Sequence, residues 1–185
     1  MAKKQEGQSP QNIDSNGVYI LMDQITMASC KEAIRWIMNH NLSDTPLPQL
    51  TIIINSPGGD VHAAFALIDV MKSSTIPIKT VGLGLIASCG FLIFIAGQKG
   101  KRILTPNTSI LSHQYSWGSR GKEHELYARI KEFELSTQRM IDHYKKCLGM
   151  TEVKIKEILL PPQDVWLSAN EAKKLKICDK VEELY

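Results

Sequence analysis

The stretch Val81-Gly82-Leu83-Gly84-Leu85-Ile86-Ala87-Ser88-Cys89-Gly90-Phe91-Leu92-Ile93-Phe94-Ile95-Ala96-Gly97 decides how this chain folds. A short apolar, β-branched run, Ile76 to Val81, gives way to glycines and then to a near-continuous apolar segment that closes at Gly97. The pattern predicts a strand, a tight turn over 82–87 and a buried helix. One small polar side chain, Ser88, stands where that helix begins. The first N–H groups of a helix lack partners within it, and the helix dipole is positive there. A serine at this point therefore has two readings. It caps the helix, or it is a nucleophile beside a ready-made oxyanion site.

The neighbouring segments set the fold class. Val18 to Met22 reads as a short strand, and Thr26 caps a helix on which Ala33, Ile34, Ile37 and Met38 recur at helical spacing. Thr51 to Ile54 is a β-branched strand suited to burial on both faces. It ends in the turn cluster Asn55-Ser56-Pro57-Gly58-Gly59-Asp60. Val61 to Met71 is helical, and Arg102 to Leu111 returns as extended chain. Repeated β-α-β units give an α/β protein with a mostly parallel sheet. Ligands of such sheets meet the loops at the carboxyl ends of the strands. Both glycine-rich turns, 55–59 and 82–87, fall at such ends, and so does His113, just after the run Thr108 to Leu111.

A long helix follows over about 122–148, with a stripe of Leu126, Ile130, Phe133, Thr137, Met140, Ile141 and Tyr144, and Gly149 as its stop. At roughly 40 Å it either projects and packs on a neighbour or lies across the sheet. Thr151 starts a short helix ending before Pro161-Pro162. Ser168-Ala169-Asn170-Glu171 fits a capping box for the last helix. Residues 1–16, rich in Gln, Asn, Ser, Gly and Lys, read as a flexible arm before one domain over 17–185.

Composition narrows the functions available. A chain of 185 residues buries roughly 70% of its unfolded surface as a single domain. A net charge of +3 with no dense basic run demands neither nucleic acid nor an anionic membrane. The four cysteines, Cys30, Cys89, Cys147 and Cys178, are widely spaced and fit free thiols in a reducing compartment. Met1 to Asn16 has no apolar core of a secretory signal. Leu83 to Ala96 is shorter than the ~20 residues a bilayer span needs.

The pattern Gly82-x-Gly84-x-x-Ala87 matches a dinucleotide fingerprint, but that motif requires an acidic residue about 20 positions on. No Asp or Glu occurs between Asp69 and Glu123, which removes the nucleotide reading. No metal-ligand spacing is present, and no cofactor is implied. Five histidines could serve Ser88 as a base. His62, His124 and His143 lie within helices and His40 ends one, whereas His113 alone follows a buried strand at a sheet end. An orienting carboxylate must fix the imidazole tautomer. Asp164, beside the apolar pair Val165-Trp166, is one candidate; Asp60, Asp69 and Asp179 are its rivals.

Four segments together resemble the Clp protease proteolytic-subunit (ClpP) family: Ile54-Asn55-Ser56-Pro57-Gly58-Gly59, Ala87-Ser88-Cys89-Gly90 with Ala96-Gly97, Ser112-His113-Gln114, and Asp164-Val165-Trp166-Leu167-Ser168-Ala169. The resemblance runs from about Val18 to the C-terminus. It implies Ser88 as nucleophile, His113 as general base, Asp164 as its orienter, and the backbone N–H groups of Gly59 and Cys89 as the oxyanion hole. It also implies a spiral of β-α units shared with the crotonases, with the long helix as a projecting handle. By that handle two heptameric rings would stack into a tetradecamer around an enclosed chamber. An AAA+ unfoldase would feed it unfolded polypeptides in the cytoplasm, a plastid stroma or a host cytoplasm, as part of protein quality control.

The departures from the family pattern suggest a divergent member, from an organelle or a virus. The family's methionine after the serine is Cys89. The docking-cleft tyrosines are missing from Thr51-Ile52-Ile53. The arginine after the aspartate is Val165, the proline after His-Gln is Tyr115, and the arm before Val18 is short. A non-catalytic ring subunit co-assembling with an active paralogue is the alternative these changes raise. A crotonase-like acyl-CoA enzyme is the third reading, disfavoured by the acid-free interval 70–122.

Overall fold

A computed structural model describes residues 14–184. A 3-10 turn, Asp14–Asn16, leads into β1 (Val18–Leu21), α1 (Met27–Asn41), β2 (Leu50–Ser56), α2 (Val61–Ser73), β3 (Ile78–Ala87) and α3 (Cys89–Ile95). Then follow β4 (Arg102–Leu104), β5 (Ser109–Ser112), α4 (Glu123–Leu148), α5 (Glu152–Ile158), β6 (Val165–Ser168), α6 (Ala169–Lys174) and β7 (Lys180–Val181). The sheet runs β1-β2-β3-β4-β7, with β5 on β3 and β6 on β5. Among the described residues only the β5–β6 pairing is antiparallel. Most of the expected arm, residues 1–13, lies outside the described residues; its last three form the 3-10 turn. There the Asp14 carbonyl accepts from Trp36 Nε1–H at 3.2 Å.

Local signals account for the helix starts. Thr26 caps α1 in a capping box with Ser29. Thr151 caps α5, and Ser168 with Glu171 forms the box of α6. Asp60 caps α2, its Oδ1 accepting from the N–H groups of His62 at 2.8 Å and Ala63 at 2.9 Å.

Two strand expectations need correction. β2 is not buried on both faces: Leu50, Ile52, Ile54 and Ser56 are buried, and the residues between them are half-exposed. More consequentially, the glycines over 82–87 do not make a turn. β3 continues through them to Ala87. Gly82 is a packing requirement, since a Cβ there would meet Ile86 Cδ1 at 2.1 Å and Leu104 Cδ2 at 2.6 Å. Between the pairs Ile54–Gly82 and Ser56–Ile86, β3 carries two more residues than β2. This bulge, with Gly84 at φ 60°, bends the strand. Below it β3 pairs β4 through residues 80–82; above it β3 pairs β5 through residues 85–87. The change of partner brings β5, and with it His113, beside Ser88.

The long helix projects. Its buried residues, Ser136, Met140, Ile141, His143 and Tyr144, all lie in the C-terminal half, packed on α3 and α5. In the N-terminal half Tyr127 and Ile130 are exposed. The loop after His113 lies along it, with the rings of Tyr115 and Trp117 packed on Phe133 at 5.6 and 5.4 Å.

Two buried polar groups brace the core. Arg102 is 3% exposed and ion-pairs with Asp179 at 2.7 Å. Asp179 also accepts from the N–H groups of Gly100 and Arg102, tying β4 to β7. Burial raises the Asp179 pKa, but the Arg102 hydrogen bonds outweigh it and hold the carboxyl below its ordinary value. His143 Nε2–H donates to the Leu92 carbonyl at 2.9 Å, and burial lowers its pKa from 6.5 to about 4. A depressed histidine disfavours the protonated fold, so stability is fully present above pH 6.5 and is lost toward pH 4. This residue alone should withdraw about 2 kcal/mol at pH 5. Denaturant titrations at pH 5 and pH 8 should show that gap in the wild type and a smaller one in His143→Gln.

Candidate active site

Ser88 follows the last residue of β3, and its N–H donates to the Leu111 carbonyl of β5 at 2.9 Å. It sits at the N-cap position of α3, yet its side chain makes no cap hydrogen bond. Helix-capping therefore does not explain the side chain. The backbone is at φ 53°, ψ −121°, a left-handed conformation that a non-glycine residue holds at a cost of about 1–3 kcal/mol. Strained strand-to-helix elbows of this kind lift a serine Oγ out of the backbone surface.

The Gly58-Gly59 turn is folded against it. A Cβ on Gly58 would stand 2.5 Å from Ser88 Cβ and 3.1 Å from its Oγ, so the serine depends on that glycine for space. Ser56 Oγ shapes the turn by accepting from Gly58 N–H at 3.2 Å. Gly59 adopts φ 149°, and a Cβ there would lie 2.2 Å from the Ile25 carbonyl oxygen. Ile25 bridges the turn: its N–H donates to Gly58 O and its carbonyl accepts from Asp60 N–H, both at 2.8 Å. Among the described residues no hydrogen bond takes up the N–H of Gly59.

His113 lies one residue beyond β5. Its neighbours are anchored on the end of α5: Ser112 Oγ–H donates to Leu159 O at 2.6 Å, and Gln114 Nε2–H donates to Leu160 O at 3.0 Å. His113 and Ser88 line one small cavity, with Tyr115 and Tyr144. His113 Nδ1 is 2.6 Å from the Gln114 carbonyl oxygen. A carbonyl only accepts, so this contact places the proton on Nδ1 and leaves the Nε2 lone pair available.

Asp164 is brought near but not joined. The β5–β6 register pairs Ser112 with Val165, which sets His113 opposite Asp164 at the next position. The aspartate is exposed rather than partly buried by Val165-Trp166, because Trp166 itself is 59% exposed. Its rivals are otherwise engaged or remote: Asp60 caps α2, Asp179 holds Arg102, and Asp69 is on the exposed face of α2. Sequence reasoning missed the Gln114 carbonyl as a partner of His113, and treated Tyr115 only as a departure. Tyr115 also lines a second cavity of about 450 Å³ with Phe133, Ile141 and Pro161. Gln114 stands next to His113 in the chain, but its carbonyl direction is not encoded by residue type.

The fold is α/β around a mostly parallel sheet, with Ser88 and His113 on one small cavity at the carboxyl ends of β3 and β5. Comparison with known proteins gives the family: the Clp protease model matches residues 4–184, and the chain belongs to that family. It is 32% identical over 171 residues to the ATP-dependent Clp protease proteolytic subunit 1 of Chlamydia muridarum, covering 91% of this chain and 87% of that one. The subunit 1 of Chlamydia pneumoniae is 33% identical over 161 residues, 86% and 83% of the two chains. The proteolytic subunit of Deinococcus radiodurans is 33% identical over 139 residues, 75% and 67%. The family is one of serine-type endopeptidases, which are hydrolases.

Proposed function

We propose that Ser88 is the nucleophile, His113 the general base and Asp164 its orienter, with Gly59 and Cys89 N–H as the oxyanion hole. The observation that carries this reading is the strained Ser88 elbow facing both the Gly58-Gly59 turn and His113. His113 Nε2 takes the Oγ proton as Oγ bonds to the scissile carbonyl carbon. The oxyanion that forms meets Cys89 N–H, at the positive start of α3, and Gly59 N–H. Collapse breaks the C–N bond, and His113 returns the proton to the departing amine. Water, activated by the same imidazole, then releases the acyl group. Full orientation of His113 requires its Nδ1–H to exchange the Gln114 carbonyl for the Asp164 carboxylate, which stabilises the imidazolium better.

The assembly we infer is a barrel of two heptameric rings, 14 chains in all, held by the projecting half of α4. It receives unfolded chains from an AAA+ unfoldase in the cytoplasm, and residues 17–185 act as one peptidase domain. The missing tyrosines at Thr51–Ile53 make a modified docking contact part of this reading. A non-catalytic ring subunit is the second reading, favoured by the bond of His113 to Gln114 rather than to Asp164.

A serine-reactive phosphonate decides between them. The assembled wild type should take one label per chain, mapped by peptide mass to Ser88. An assembled, folded protein that takes no label overturns the catalytic reading.

A further inference from the structure

Cys89 follows the proposed nucleophile, and its side chain does not point away from the reaction. Its Sγ–H donates to the Gly59 carbonyl oxygen at 3.2 Å. The thiol is 5% exposed as a residue, and burial raises its pKa above the ordinary 9.0, so the donor proton is kept at neutral pH. The turn is therefore held from two sides. Ile25 grips the Gly58 carbonyl and the Asp60 N–H, and Cys89 grips the Gly59 carbonyl between them. Gly59 has no side chain to limit its own rotation, and its φ of 149° is a conformation glycine leaves easily. Preorganised donors lower a barrier because they need not reorient when charge develops.

We propose that the Cys89 side chain is a positioning residue for peptide hydrolysis: through the Gly59 carbonyl it anchors the Gly59–Asp60 peptide plane, while Ile25 N–H holds the Gly58–Gly59 plane that carries Gly59 N–H, so that Gly59 cannot swivel between them and its N–H stays directed to the developing oxyanion. This rests on the reading of Ser88 as nucleophile and of Gly59 and Cys89 as oxyanion donors. Cys89 then has two separable roles. Its backbone N–H, which any residue except proline retains, meets the oxyanion directly. Its thiol acts through Gly59. A methionine here has no proton to give to the Gly59 carbonyl.

The test compares wild type with Cys89→Ala, Cys89→Ser and Ser88→Ala as assembled, full-length proteins. Two readouts are used: steady-state cleavage of a fluorogenic peptide, and affinity for a peptide boronate, whose tetrahedral adduct mimics the oxyanion. Cys89→Ala should lower kcat about fivefold, the loss of one ordinary hydrogen bond, with KM unchanged. Boronate affinity should fall by the same factor. Cys89→Ser, which keeps a donor, should recover most of both losses. A merely structural role would lower assembly or raise KM without tracking boronate affinity.

The positioning role is overturned if Cys89→Ala matches wild type, or if Ala and Ser fall together. The underlying reading fails separately, and takes this role with it, if Ser88→Ala still cleaves at the wild-type rate.

Discussion

Ser88→Ala is expected to reduce peptide hydrolysis by about 10⁵–10⁶-fold in kcat, the range seen when a serine nucleophile is removed from an intact triad. The fold should be nearly untouched, for a reason specific to this serine. Its side chain makes no cap hydrogen bond, so alanine breaks no structural contact of that kind. Alanine also occupies the same strained backbone, φ 53° and ψ −121°, at a similar cost. Thermal unfolding should move by no more than about 1 kcal/mol. Ser88→Gly sharpens the point. Glycine tolerates this region of backbone space, so relief of strain should stabilise the fold by about 1 kcal/mol while activity is lost equally. A variant that is more stable and inactive is the signature of strain kept for function. Peptide cleavage and a denaturant titration on the two variants check both halves. Activity within tenfold of wild type in Ser88→Ala would remove Ser88 from the mechanism.

Where structure is written in one short segment, the sequence announces it. Thr26, Thr151 and Ser168 each cap the helix that follows. The alternation of strand and helix was enough for a mostly parallel sheet. What was hidden depends on residues far apart in the chain. Gly82 and Gly84 look like turn residues, yet Gly82 is small because Ile86 and Leu104 need its space. The bulge they permit re-pairs β3 from β4 to β5. No local pattern distinguishes a glycine that turns the chain from one that makes room.

The same limit applies to charge. Nothing beside Arg102 in the chain marks it as buried; its partner is the distant Asp179. At the proposed site, Ser88, His113 and Asp164 are named by resemblance, and the β5–β6 register sets the last two opposite one another. The choice His113 makes between the Gln114 carbonyl and Asp164 is a rotamer decision. It depends on the loop over 113–121 and on whatever covers the exposed aspartate, which are matters of packing and not of residue type.

Gly59→Ala should be the second most damaging change, lowering kcat by about 10²–10³, the loss that follows when one oxyanion donor is removed. The mechanism is steric. A Cβ at this position would stand 2.2 Å from the Ile25 carbonyl oxygen, a backbone atom that cannot rotate aside as a flexible side chain does. At φ 149° the added methyl is also in a region L-residues avoid. The turn must therefore shift. The Asp60 N–H bond to Ile25 O lies in its path, as does the Cys89 thiol bond to Gly59 O. The Gly59 N–H then no longer meets the oxyanion, although Ser88, His113 and Cys89 N–H are all present.

Because those two bonds are local, the α1–α2 core should hold, and the variant should still assemble and unfold cooperatively. Phosphonate labelling separates this outcome from general misfolding. Ser88 should still react, but slowly, since its attack also passes through a tetrahedral oxyanion. Gly58→Ala offers the control in the opposite sense: its Cβ, 2.5 Å from Ser88 Cβ, displaces the nucleophile itself, so labelling should disappear along with cleavage. If Gly59→Ala cleaves peptides within threefold of wild type, Gly59 N–H is not a donor to the oxyanion, and the hole must be formed by Cys89 N–H with some other group.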